Sequence, residues 1–130
     1  MTKWCEIQHV ESGQLLIPRA RWCDTFATKL RGFTWRRALS QDEGLVLVEK
    51  EAGRLNTAIH MLFVFFDLAV IWVNEVNEVV DTVLARSWRL SYVPREPARY
   101  VIEGHPALLA RVQPGDHVRF IMEGEGKDVV

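Results

Sequence analysis

Apolar and polar positions alternate in short stretches along most of this chain, and the alternation predicts strands more often than helices. Residues 3–10 and 14–22 read as a hairpin about Glu11-Ser12-Gly13-Gln14, with Pro18 marking an edge or a bulge. One helix is well signalled: Asp24 is the expected N-cap, Phe26 and Leu30 share a face, and Gly32 stops it. Residues 44–48 form a short apolar strand. Residues 68–73 and 78–84 form two more, joined at Asn74-Glu75-Val76-Asn77. Over 99–103, Tyr100 and Ile102 take one face while Val101 and Glu103 take the other. Pro106 opens a short helix through Arg111, and Pro114-Gly115-Asp116 is a turn. Val118, Phe120 and Met122 then alternate with His117, Arg119 and Ile121. The expected fold is mainly β, α+β at the margin: a compact antiparallel barrel or sandwich with one or two short helices. Residues 1–122 are expected to form a single domain, and the Gly-rich, charged stretch 123–130 a flexible tail.

One segment breaks the alternation. Residues 58–74 are almost continuously apolar, with His60 at the mouth and Asp67 inside. An unpaired buried carboxylate costs several kcal/mol, so Asp67 must find a partner, reach water or stay protonated. The run at 61–73 is too short and too polar to span a bilayer, and the N-terminus has no apolar core of signal-peptide length. The expected location is therefore cytoplasmic, with no membrane partner.

Composition adds little beyond one globular domain: 130 residues, 48% hydrophobic and 25% charged. Charge adds more. A net charge of −1 argues against a general grip on nucleic acid. It is spread unevenly, however. Residues 1–40 carry seven Lys/Arg against three Asp/Glu, residues 41–85 two against eight, and residues 86–112 five against two. These segments either satisfy one another as surface charge or present an anion-binding face. Cys5 and Cys23 fit no metal or redox spacing and read as buried free thiols.

His60, Asp67 and Glu103 are the candidate polar constellation. A histidine beside carboxylates can act as acid or base near neutral pH, and the same residue types can hold a divalent metal. Each also has an ordinary structural role open to it. His60 can bond a carbonyl, Asp67 can cap a turn, and Glu103 can pair with Arg89 or Arg31. No His-x-x-x-His pair, nucleophile elbow or phosphate loop occurs, so no catalytic residue, metal site or cofactor is assigned. Tryptophan recurs beside arginine at Trp22, Trp35 and Trp88, a pattern that serves either ring-rim packing or ligand stacking.

Several motifs then line up in order: Arg31-Gly32-Phe33 through Arg36, Arg37 and Leu39; Glu43-Gly44-Leu45; Thr57-Ala58-Ile59-His60-Met61; Val79-Val80; Ser87-Trp88-Arg89; Val101-Ile102-Glu103-Gly104; and Pro114-Gly115-Asp116. The series resembles domain-of-unknown-function family 192, small uncharacterised bacterial and archaeal proteins, over roughly residues 17–120. The resemblance implies a compact, mainly β fold with a helix near its N-terminus, and no established activity. Members usually continue with Pro-Leu-Asp or Pro-Ile-Asp where this chain has Asp67-Leu68-Ala69, so the carboxylate lies two positions early. If the Trp88-Arg89 step lies near His60, Arg89 offers a planar fork to a carboxylate or phosphate. The leading expectation is a domain binding a small polar or anionic ligand, or a partner segment, in a cleft lined by His60, Asp67, Trp88, Arg89 and Glu103. The alternatives are an acid–base, hydrolase-like enzyme using His60 with Asp67 or Glu103, and an interaction module, monomer or homodimer, using exposed Phe63, Phe65 or Phe66.

Overall fold

A computed structural model describes residues 2–34, 36–124 and 128–130, without the side chains of Phe26, Ala27 and Leu30. The Phe26/Leu30 face and the Trp35–arginine grouping expected from the sequence therefore lie outside the described residues. Seven strands form one sheet: β1 (Lys3–His9), β2 (Leu15–Cys23), β3 (Glu43–Gly53), β4 (Leu68–Val73), β5 (Val79–Ala85), β6 (Ala98–Gly104) and β7 (Val118–Met122). Their order across the sheet is β5-β4-β6-β3-β2-β1-β7. The fold is mainly β, as the alternation predicted, with one α-helix, α1 (Phe26–Arg31), and one 3₁₀ turn at Pro106–Ala110.

The β1–β2 hairpin turns at 10–14, where Gly13 takes φ 71°. Pro18 sits in a bulge: Cys5 faces Ala20 but Ile7 faces Ile17, so β2 carries an extra residue there. The missing N–H of Pro18 therefore falls where the ladder is already interrupted. The β2–β3 pair is parallel, with Arg19 opposite Glu43 and Cys23 opposite Leu47, so the sheet is mixed where antiparallel pairing was expected throughout. A parallel pair needs a crossover, and α1 with residues 32–42 supplies it. Thr25 caps α1 in place of the expected Asp24. Its hydroxyl accepts from Thr28 N while the Thr28 hydroxyl accepts from Thr25 N, a reciprocal box that Asp24 is one residue too early to make. Asp24 instead accepts from Lys3 Nζ at 2.8 Å.

The sheet curls without closing. Its edge strands meet at one end, where Glu78 bridges His117 and Val79 N donates to Asp116 O at 2.8 Å. Further along, residues 128–130 take the other edge of β7: Phe120 and Val130 exchange both backbone bonds, at 3.1 and 2.7 Å. These three residues, expected within a flexible tail, are tied down because an unpaired strand edge offers donors and acceptors that any extended segment can meet. Residues 125–127 of that stretch lie outside the described residues.

Two apolar clusters lie on the two faces of the sheet. One holds Ile7, Ile17, Trp22, Ile71, Tyr100, Ile102 and Phe120. Here Trp22 packs edge-on against Phe120 at 5.5 Å, and the ring is buried core. The other face holds Phe33, Leu45, Ile59, Met61, Val64, Leu68, Val70, Trp72 and Val101. All six residues of β4 are buried, since the sheet covers one face and segment 57–66 the other. Trp72 Nε1 donates to Thr57 O at 2.8 Å and pins that segment down. The apolar run at 58–74 therefore divides. Only 68–73 is strand, while 58–67 is a folded-over cover in which Val64 N donates to Met61 O and Phe63 takes φ 60°.

Candidate functional site

The register places Glu103 beneath that cover. Arg21, Leu45, Glu103 and Val70 stand opposite one another on β2, β3, β6 and β4, all on the face that segment 57–66 overlies. Between α1 with its following turn and residues 56–60 a cleft of about 380 Å³ opens onto this face. Phe33, Leu47, Ile59, Val64 and Val101 give it apolar walls. Glu103 also lines it, and His60, Arg31 and Asn56, all exposed, stand among its lining residues.

Glu103 is 7% exposed and makes no hydrogen bond among the described residues. Burial pushes its carboxyl up to about 7, against the pull of the Arg21 guanidinium. Arg21 does not bond it. Its Nη2 donates to Gly32 O at 2.7 Å, and its Nε is buried with no partner among the described residues. Lys29, another lining cation, is taken by Glu49 at 3.2 Å and by Val48 O at 3.2 Å. Cys23 lies on the same sheet face, fully buried and outside any disulfide, its thiol donating to Arg21 O at 3.8 Å. Its thiol is pushed up first by burial and further by Glu103, and lowered by Arg21.

Of the five residues named from the sequence, His60 and Glu103 line this cleft, and Asp67, Trp88 and Arg89 do not. Asp67 closes a turn instead. Its carboxylate accepts from Ser87 N at 2.9 Å and from Arg86 Nη1 at 3.1 Å, with the side chain about one-third exposed, 35%. It thus both finds partners and reaches water. The chain reverses between His60 and Asp67, so seven residues of sequence separation do not bring the two into contact. Trp88, at φ 68° and 47% exposed, meets Phe63 and Phe65 edge-on at 5.1 and 5.6 Å. Arg89 carries its guanidinium over the Tyr92 ring at 5.7 Å, while its carbonyl accepts from Met61 N at 2.9 Å. Segment 86–92 thus runs beside 59–64 along the backbone, yet its side chains turn away from the cleft.

A second polar cluster has no counterpart in the sequence reading. His9 Nε2 lies 2.8 Å from Asp116 Oδ2 and 3.8 Å from Glu11 Oε1, and the other oxygen of Glu11 lies 2.6 Å from His117 Nδ1. The ligand atoms of His9, Glu11 and Asp116 lie within 4.8 Å of one another, the one such triad among the described residues. Its hydrogen bonds mark it as a clamp. His9 Nδ1 lies 2.6 Å from Ser12 Oγ and 3.2 Å from Ser12 N, so the ring is held between that turn and Asp116. Asp116 also accepts from Gln113 N at 3.0 Å, and Glu11 from His117 N at 2.8 Å, so every carboxylate has fixed partners. Separated by 107 positions, His9 and Asp116 meet only because β7 pairs with β1. Nothing in the local sequence signals their contact.

Lys29, Phe33, Asn56 and Thr57 were also missed as cleft residues. The signal was present, since three of the segments carrying the family resemblance, Arg31-Gly32-Phe33, Thr57–His60 and Val101–Glu103, converge on this one cleft.

Comparison with known proteins gives a consistent picture. The family model described as uncharacterized ACR, domain of unknown function 192, matches residues 7–120. A UPF0127 protein of Thermococcus gammatolerans is 38% identical over 109 residues, covering 82% of this chain and 69% of its own. A UPF0127 protein of Pyrococcus furiosus is 30% identical over 114 residues, covering 86% and 95%. Among solved structures, a protein of unknown function from Novosphingobium aromaticivorans superposes with a TM-score of 0.71 at 20% identity over 88% of this chain and 82% of that one. A Sinorhizobium meliloti protein, described as a candidate transcription regulator, reaches 0.78 at 18% identity over 92% and 94%. At these identities the two structures share the fold alone.

Proposed function

Since the chain belongs to the uncharacterised domain-of-unknown-function family 192, we propose that it is a binding protein for a small molecule held in the Glu103 cleft. The observation that carries this reading is the unpartnered carboxyl of Glu103. A buried polar group without a hydrogen bond costs about 1–3 kcal/mol, more if charged. The Glu103 carboxyl lines the cleft and meets no donor from the described residues, so it is open to a donor on a ligand. The cleft is of ligand-pocket size and has the usual make-up, apolar walls with a few polar groups. The two buried free thiols suit a reducing, cytoplasmic setting.

A fragment library followed by amide NMR shifts tests this. Binding fragments are expected to perturb residues 29–34, 56–60 and 101–103. A library whose hits all map elsewhere, or that yields no hit, overturns the reading.

A second reading is favoured by one observation: a carboxyl titrating at about 7 is matched to general acid–base work near neutral pH. Together with His60 among the cleft-lining residues it gives a hydrolase-like pair. Screening of hydrolase substrates with His60→Ala and Glu103→Gln controls decides it. Turnover lost in Glu103→Gln supports it, and turnover unchanged in both variants removes it.

A further inference from the structure

We infer that the occupant of the cleft is an apolar primary amine, with or without a carboxylate, whose ammonium group bonds Glu103. The inference rests on the binding reading above and names its ligand class.

Among the described residues lining the cleft, Glu103 is the buried charged group without a hydrogen bond; the other charged groups of the lining are paired elsewhere or stand in water. From α1, Lys29 is held by Glu49, and Arg31 is exposed. From β2, Arg21 gives Nη2 to Gly32 O and keeps a buried Nε without a partner among the described residues, outside the cleft lining, and burial holds the Cys23 thiol neutral. From β3, Glu49 is neutralised by Lys29, and from the covering segment His60 is exposed. An unpartnered carboxyl in an apolar pocket takes either a donor to its ionised form or an acceptor to its protonated form. Burial alone favours the second, and a ligand that brings its own positive charge turns the balance to the first. Arg21 already favours the ionised form, and an ammonium brings three donors and the compensating charge, whereas a carbonyl brings none. The remaining lining, Phe33, Leu47, Ile59, Val64 and Val101, takes the apolar body of the ligand. If that body also carries a carboxylate, Arg31 and His60 are the exposed basic side chains of the lining that can meet it.

The ligand class makes a proton prediction. Burial raises the Glu103 carboxyl to about 7, so ion pairing with an ammonium near that pH releases protons. An anionic ligand instead takes protons up.

Three probes of common shape separate the possibilities: 2-phenylethylamine, L-phenylalanine and 3-phenylpropanoate. They are titrated calorimetrically into the full chain in buffers of different ionisation enthalpy. The expected result is binding of the two amines, proton release near pH 7, and about tenfold or greater weakening in Glu103→Gln. Tighter binding of 3-phenylpropanoate, or proton uptake with any probe, overturns the amine inference while leaving the cleft reading standing. No binding of any probe also overturns it, and the fragment mapping then judges the cleft separately. Should Glu103→Gln fail to fold, the three probes and the sign of the proton change decide on the unaltered protein.

Discussion

The fold treats two sets of carboxylates oppositely: those bonded to His9 and His117, and Glu103 in the cleft. Where the two sheet edges meet, His9, Glu11, Asp116 and His117 are bonded to one another and to the Ser12 and Gln113 amides. On the outer sheet face Glu103 is more deeply buried than any of those carboxylates and has no hydrogen bond among the described residues. The first arrangement is what a polar group needs to serve as structure, because each desolvated atom regains a partner. The second leaves a partner missing and a space beside it. Density of ligand-like side chains therefore points to the wrong cluster here, and incomplete satisfaction points to the better candidate.

Replacing Glu103 tests the contrast most strongly. Its folded pKa of about 7 lies above the unfolded 4.5, so the folded state binds the proton more tightly. The sign follows: stability falls as pH rises from 4.5 through about 7, and the loss is complete above that, on the order of 3 kcal/mol. Glu103→Gln removes this loss. Denaturant melts should show the variant more stable than the parent at pH 8.5 by up to that amount, with the gap mostly gone at pH 4. Equal stability of the two at pH 8.5 would mean Glu103 has a partner after all.

Asp116→Ala should do the reverse. It takes the partner from the buried His9 Nε2 and from the Gln113 amide, and should cost about 2 kcal/mol in the same melts without altering fragment shifts in the cleft. Ser12→Ala, which removes a hydroxyl from His9 Nδ1 but leaves the Ser12 amide in place, should cost about 1 kcal/mol. If either variant changes cleft binding, the two clusters are coupled and the comparison fails.

Smaller effects sharpen the assignment of the clamp. Hydrogen bonds from the His117 amide and ring hold the Glu11 carboxyl down to about 2, and the same ring bond pushes His117 above 6.5. The contribution of Glu11 is present above 4.5 and lost as pH falls toward about 2. That of His117 is present below 6.5 and lost as pH rises through its raised value, so the pair acts fully between about 4.5 and 6.5. In Glu11→Gln the His117 ring should titrate closer to the ordinary histidine value, read by NMR. Zinc should leave the melting temperature unchanged, since the carboxylates of the triad already have hydrogen-bond partners within the chain. A rise in melting temperature with zinc would make the clamp a metal site.

Much of the fold was legible because strand alternation is local. The spans 68–73, 99–103 and 118–122 need only their own side chains to declare period two, and the structure places strands there. The helix cap was off by one because Asp and Thr both cap well, and the choice fell to a Thr28 hydroxyl reaching back to Thr25. The site was half legible. His60 and Glu103 were named and share a cleft; Asp67, Trp88 and Arg89 were named and bond other parts of the same cover.

The sequence by itself determined the element types and the face each strand residue would take, including Glu103 beside Val101, because backbone periodicity fixes facing without reference to distant chain. Only the tertiary structure decided what lay over each face. The parallel β2–β3 pair, the fold-over of residues 58–67 and the pairing of β1 with β7 join positions many residues apart, and long-range pairing leaves no local trace. That is why Asp67, conspicuous in an apolar run, proved to be an ordinary turn ligand, while Glu103, unremarkable in an alternating strand, was left buried without a partner.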